Sequence, residues 1–157
     1  LNYGKNFLRS IMNKAQNLLE ALGDLTWENY VDIADGVTKF DKHEIDLEMT
    51  RQASVYSYYQ GLLSVAKNKL DTANLNLTKY TAQTRKEKKR STPSKQTAKD
   101  LDDFVESSSE FAVYTEKVNE AYFKYTLLKG LVSSLEHKKD MLVQLSSNRR
   151  AETNLYR

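Results

Sequence analysis

Between Gly61 and Gly130 the chain contains no glycine, and its one proline, Pro93, falls near the middle of that stretch in a polar, basic patch. Glycine and proline are the residues that most readily interrupt helical hydrogen bonding, so this spacing describes two long helices folded back on each other around one loop. Elsewhere only Gly4, Gly23 and Gly36 could break a helix, and an all-α fold is expected. A reversal centred near residues 93 to 96 would bring Gly61 close to Gly130, two small residues that let backbones approach or bend.

At 157 residues the chain is one domain's worth, but an apolar share of 39% is low for a compact globule of that size. With 29% charged residues and few breakers, the profile is that of long helices burying narrow seams, as in a coiled coil. One such antiparallel hairpin leaves much of its seam uncovered, so an oligomer is expected. There is no cysteine, which excludes disulfides, thiolate catalysis and zinc-thiolate sites and is compatible with a reducing compartment. Lys5, Arg9 and Lys14 interrupt the first residues, so no signal peptide is expected there. Ser64, Lys67, Lys129 and Ser133 break the longest apolar runs well short of a membrane span, and a soluble protein is expected.

Charge is segregated by segment although the net value is only +3. From Asp24 to Glu48 eight acids face two bases, a net of −6; from Lys79 to Lys99 eight bases face Glu87 alone, a net of +7. Such polarity suits an anionic partner at the basic part, or head-to-tail association between copies.

Apolar residues recur at three- and four-residue steps from about Asn6 to Leu22, predicting a first helix that Gly23 ends. Asp24 and Thr26 are cap candidates for a second helix with Trp27, Tyr30, Val31 and Ala34 on one face; Asp35-Gly36 either breaks or weakens it. Residues 1–36 thus form an N-terminal helical segment and residues 37–157 a long hairpin. From about Phe40, the positions Ile45, Met49, Gln52, Tyr56, Tyr59, Leu63, Ala66, Leu70, Ala73, Leu77 and Tyr80 alternate steps of four and three, a heptad repeat with Gln52 as its polar exception. The returning helix repeats the pattern in Phe111, Tyr114, Val118, Ala121, Tyr125, Leu128, Val132 and Leu135, then loses it at Lys139. Beyond that point Met141, Leu142, Leu145 and Leu155 are sparser, and this C-terminal helix is expected to pack against another subunit, as an oligomerisation helix.

Between the two helices, residues 85–96 hold no apolar residue except the proline, so a mobile, exposed basic loop is expected there. Asp100, Asp102, Asp103 and Glu106 follow in the first turns of the next helix, where acids complement its N-terminal dipole, with Ser94 or Thr97 as its cap.

The residue inventory argues against an enzyme. His43 and His137 lie on different helices and neither belongs to a Glu-x-x-His pair; His43-Glu44 lacks the second histidine of the zinc-protease motif. There is no glycine-rich phosphate loop, and Ser107-Ser108-Ser109 is placed mid-helix rather than on the sharp turn a serine nucleophile needs. Neither a cofactor nor a metal is expected. Nucleic-acid binding fares better, because cations attract phosphates and exposed rings stack on single-stranded bases. The candidates are Arg51, Tyr58, Lys67 and Lys69 on the first long helix, the cluster Arg85, Lys86, Lys88, Lys89 and Arg90, and the late cations Lys138, Lys139, Arg149 and Arg150. Tyr56 and Tyr59 fit the seam, so Tyr58 is the ring expected to be exposed.

The segment from Asp46 to Gly61, with its Tyr58-Tyr59-Gln60-Gly61 element on a long helix, resembles the UvsY family, the recombination mediators of T-even-like bacteriophages. A late helix with aromatics, small residues and a basic terminal stretch, here Tyr114 to Leu155, adds to the likeness, which covers Trp27 to Leu155 by pattern and leaves residues 1–25 as an extension. The resemblance implies a ring-like homo-oligomer that binds single-stranded DNA in the cytoplasm of an infected bacterium, loosens the single-strand binding protein and loads the recombinase. One departure is clear: the family's basic residues just before the tyrosine pair correspond here to Ala53 and Val55, leaving Arg51 nearby, with Lys67, Lys69 or the basic loop as substitutes. The alternative is a structural coiled-coil scaffold or virion assembly protein without DNA binding, its basic loop set against the acidic segment of a neighbour. An anionic-membrane binder would need apolar residues interleaved in that loop, and has none.

Overall fold

A computed structural model describes residues 17–92 and 94–155 of the chain. Among these residues it is all-α, with no strand: α1 (residues 17–23), α2 (Trp27–Thr38), α3 (Ile45–Ser91), α4 (Ala98–Glu106) and α5 (Ser109–Leu155). The part of the first expected helix before residue 17 lies outside the described residues, as does Pro93.

Local sequence accounts for most of the helix ends. Thr26 caps α2 through a reciprocal pair: Asn29 N donates to its hydroxyl at 3.4 Å, and Asn29 Oδ1 accepts from Thr26 N at 2.9 Å. Asp24 contributes only its carbonyl, which accepts from Asn29 Nδ2 at 2.6 Å. Asp35-Gly36 does not break α2, which runs on to Thr38. The third helix starts at Ile45 rather than Phe40, because Asp41 Oδ1 accepts from His43 N at 2.8 Å and holds a turn there. Thr97, not Ser94, caps α4, again by a reciprocal pair, with Asp100.

Two expectations are corrected here. The basic cluster is not a loop: residues 85–91 are the last turns of α3, and the connection narrows to residues 92–97. Lys, Arg, Glu and Gln are good helix formers, and Lys88, Lys89 and Arg90 in the last turn oppose the negative end of the helix dipole. Ser107-Ser108-Ser109 is not mid-helix either. The Ser108 hydroxyl donates to Val105 O at 2.8 Å and accepts from Phe111 N at 3.1 Å, so it closes α4 and opens α5 in one residue.

The chain divides into two compact units, residues 1–65 with 126–157 and residues 66–125. In the first, α3 and α5 are paired with opposite direction, Glu48 meeting Lys138 and Gln52 meeting the Leu135 carbonyl. Its core comprises Leu22, Leu25, Ile45, Leu62, Leu127, Leu128, Leu131, Val132, Leu135 and Leu142. Leu127 and Leu131 join the Leu128, Val132 and Leu135 seam as buried residues, so α5 presents a broad apolar stripe rather than a narrow one. The reason is a second neighbour: α2 approaches α5 where a β-carbon at Gly130 would stand 3.4 Å from the Tyr30 hydroxyl. At Gly61 the corresponding space faces Leu18 Cδ1 of α1, at 3.8 Å, so each glycine admits an N-terminal helix rather than the other glycine. The apolar pattern also continues past residue 139. Leu142 is buried within this unit, correcting the expectation that the last segment packs only on another subunit.

The second unit is thinner. Ala66, Leu101 and Val105 are buried, while Leu70, Ala73, Leu77, Val118 and Ala121 are half-buried. Tyr80 stacks on Tyr114 with ring centres 4.9 Å apart, and its hydroxyl lies 2.7 Å from Ser108 Oγ, tying α3 to the break between α4 and α5.

Candidate nucleic-acid interface

The structure distributes the thirteen candidate residues over both units. Arg51, Tyr58, Lys138, Lys139, Arg149 and Arg150 belong to the first, and Lys67, Lys69, Arg85, Lys86, Lys88, Lys89 and Arg90 to the second.

In the second unit the five cations at the end of α3 have different surroundings. Arg85 pairs with Asp102 of α4, and the Lys88 ammonium sits 4.4 Å from the centre of the Phe104 ring. Both are drawn toward α4 because Leu101 and Val105 on its inner face are buried, which presents Asp102 and Phe104 to α3. Lys86, Lys89 and Arg90 are exposed and form no ion pair among the described residues. Lys86 and Arg90, one turn apart, share an exposed face of α3 with Ala82, Gln83 and Glu87, where Gln83 Nε2 donates to Glu87 Oε1 at 3.0 Å. Three uncompensated cations within five residues form a local positive surface suited to phosphate oxygens.

Lys67 and Lys69 lie on the same helix, roughly 25 Å back along the axis at 1.5 Å per residue. Lys67 is shared between Asp71, at 3.8 Å, and the Tyr125 ring, at 5.9 Å. Lys69 is exposed beside Thr72, Tyr114 and Lys117.

In the first unit Tyr58 is 45% exposed, the ring expected to face solvent, and meets the half-buried Tyr59 edge-on with centres 5.0 Å apart. Burial raises the Tyr59 hydroxyl above its ordinary pKa, with Tyr58 a smaller cause. Arg51 is exposed without an ion pair among the described residues. Arg150 bonds its own helix, Nε donating to Ser146 O at 3.3 Å, while Arg149 is exposed. Lys138, one of the late cations read as a surface charge, is buried and belongs to the core.

Phe104 went unread as a site residue, although an aromatic ring beside a lysine is the pairing that single-strand binding favours. Its signal lay in sequence, an aromatic four residues after Asp100 on a short amphipathic helix, but its pairing with Lys88 depends on the turn at residues 92–97. Tyr122, 59% exposed, and Phe123, 43% exposed, add two more open rings to the same unit. Among the described residues no group of histidines and acids is placed to hold a metal ion, and no helix is long and apolar enough to cross a membrane. No family model matches the chain, and no curated protein or solved structure matches it.

Proposed function

We propose that this chain is a noncatalytic binder of single-stranded DNA that works as a homo-oligomer, acting as a phage recombination mediator which promotes recombinase loading over the single-strand binding protein in the infected host's cytoplasm. The observation that carries the reading is the set Lys86, Lys89 and Arg90, exposed and unpaired beside Lys88 and Phe104. Cations supply salt-sensitive phosphate contacts and an open ring supplies base stacking, the two parts that sequence-tolerant strand binding needs. On this reading each copy of an antiparallel, coiled-coil-like hairpin binds weakly, and association multiplies the contacts by avidity. A strand held along several copies is bent away from the form one protein prefers and toward the form the next accepts, so the handover consumes no nucleotide.

The test is fluorescence anisotropy with a labelled single-stranded oligonucleotide over a salt series. Affinity is expected to fall steeply with salt, and replacing Lys86, Lys89 and Arg90 by serine is expected to lower the log–log slope by about 2, at about 0.7 per phosphate contact on a single strand. Absence of binding at low salt overturns the reading and leaves the scaffold alternative. That alternative draws on the Arg85–Asp102 pair, in which a cation of the cluster already serves a protein contact.

A further inference from the structure

One face of α2 is anchored and the other is bare. On the anchored side Tyr30 reaches Gly130, and Ile33, Ala34 and Val37 are half-buried. On the bare side Trp27 is 57% exposed and Val31 50% exposed, one turn apart. Alongside them Glu28 and Asp32, also one turn apart, are exposed with no basic partner among the described residues, as is Asp24 just before the Thr26 cap; Asp35 alone is paired, to Lys39. Like charges four residues apart on a helix repel, and the indole, stacked on the Tyr30 ring with centres 5.8 Å apart, still leaves more than half of Trp27 in water. Something basic and partly apolar covering the face lowers both costs.

We infer that this face of α2 is a docking surface for the end of α3 of a second copy of the same chain. The choice of occupant rests on charge complementarity. Lys86, Lys89 and Arg90 are three cations within five residues with no ion pair among the described residues, Lys86 and Arg90 repelling each other one turn apart, and neither row has a salt-bridge counterpart among those residues. Trp27 adds selectivity, because a guanidinium stacks on an indole face, which gives Arg90 a partner that an acidic row alone would lack. The two surfaces differ, so each contact pairs unlike patches: repeated head-to-tail it generates a ring or a filament, and made reciprocally it joins two copies about a two-fold axis. The inference goes beyond the function proposed above and competes with it for the same cations: a strand and a neighbouring α2 exclude each other at any one α3 end, so association through this contact covers the strand-binding cations rather than multiplying them.

The experiment is sedimentation velocity at low ionic strength on three full-length proteins without nucleic acid: the wild type, Glu28→Lys/Asp32→Lys, and Lys86→Glu/Lys89→Glu/Arg90→Glu. The wild type is expected to assemble and each variant alone to associate at least about tenfold more weakly, since each then carries two like-charged surfaces. Mixing the two variants is expected to restore assembly, because each now complements the other. All substituted side chains are exposed, and circular dichroism verifies the helices; should a reversal unfold the chain, the neutral set Glu28→Gln/Asp32→Asn replaces it. Trp27 is the chain's one tryptophan, so its emission reads the face directly and is expected to shift to shorter wavelength as wild-type protein is concentrated. Unaltered association of either variant, or a mixture that fails to assemble, overturns the docking. Failure of the unassembled Glu28→Lys/Asp32→Lys variant, whose α3 cations no α2 covers, to bind a labelled oligonucleotide at low salt would instead overturn the DNA reading and leave this interface standing.

Discussion

The ammonium of Lys138 lies 2.8 Å from the Glu48 carboxylate, joining two side chains that are 8% and 16% exposed. The same nitrogen donates to Val37 O at 2.9 Å and Lys39 O at 3.3 Å, and sits 5.7 Å from the Phe40 ring centre. An ammonium has three donors, and here all three are used, which is what makes the burial of its charge tolerable. Two of its acceptors are carbonyls at the end of α2 that have no later helical turn to receive them.

Replacing Lys138 by Met is therefore expected to cost about 2–4 kcal/mol, because it leaves a largely buried carboxylate and two carbonyls without donors. The double variant Lys138→Met/Glu48→Leu is expected to recover most of that loss. Urea titration followed by circular dichroism checks both; a single variant that unfolds at the wild-type midpoint would show that the clamp contributes nothing.

Gln52 is 7% exposed and half satisfied: Nε2 donates to Leu135 O at 2.6 Å, while Oε1 is buried with no partner. Gln52→Leu should raise stability by about 1 kcal/mol, since a buried acceptor that has lost water and found no donor is removed. A polar seam residue also disfavours shifted pairings, so the variant is expected to gain stability and lose sharpness of its amide spectrum. A lower melting temperature would contradict this.

Gly36 and Gly61 both lie inside helices, where alanine is better by about 0.5–1 kcal/mol. Nothing stands within 4 Å of a β-carbon at Gly36, and at Gly61 only Leu18 Cδ1 does, at 3.8 Å, so both alanine variants are expected to melt higher. Gly130→Ala should gain less, because the Tyr30 hydroxyl at 3.4 Å has to yield. Differential scanning calorimetry of the three variants orders them.

The hydrogen bond that Tyr56 donates to Glu136, at 2.9 Å, holds its hydroxyl above the ordinary pKa of 10.0. A raised value in the folded chain means the bond stabilises fully below about pH 10 and is lost as pH climbs through the folded value. Asp100 is displaced the other way: the Thr97 backbone N–H, then the Thr97 hydroxyl, keep it below 3.8, so its contribution to the α4 cap is present above about pH 3.8 and fades as pH falls through the lowered value. Glu136→Gln is expected to bring the alkaline absorbance transition of Tyr56 back toward 10, and Thr97→Ala, which keeps the backbone N–H and removes only the hydroxyl, to raise the Asp100 midpoint part-way in an NMR titration. An unmoved Tyr56 transition would sever its link to Glu136, and an unmoved Asp100 midpoint its link to the Thr97 hydroxyl.

The helical class was legible from the long interval without glycine, and the caps were narrowed to Asp24 or Thr26 and to Ser94 or Thr97, whereas the choice of Thr26 and Thr97 follows from their reciprocal bonds with Asn29 and Asp100. Residues 85–90 were misread as a loop since polarity marks solvent exposure but not backbone state, and lysine, arginine and glutamate are as content in a helix as out of it. The role of Lys138 was hidden for a related reason. A lone lysine reads as surface until the end of α2, some hundred positions earlier in the chain, is known to lie against it. Of the candidate site, the identity of the cations was readable, whereas the division of labour was not: that Arg85 and Lys88 serve α4 while Lys86, Lys89 and Arg90 stay open follows from how α4 folds back.

Lys138 bonds Val37 across 101 positions and Glu48 across 90, so a ribosome must deliver that many further residues before the end of α2 receives its donor. During synthesis the N-terminal helices emerge with that end open and with Leu22 and Leu25 still lacking the leucines of α5. The end of α2 is thus made long before it becomes secure, and a nascent chain stalled before residue 138 should be degraded far faster than one released after α5 is complete.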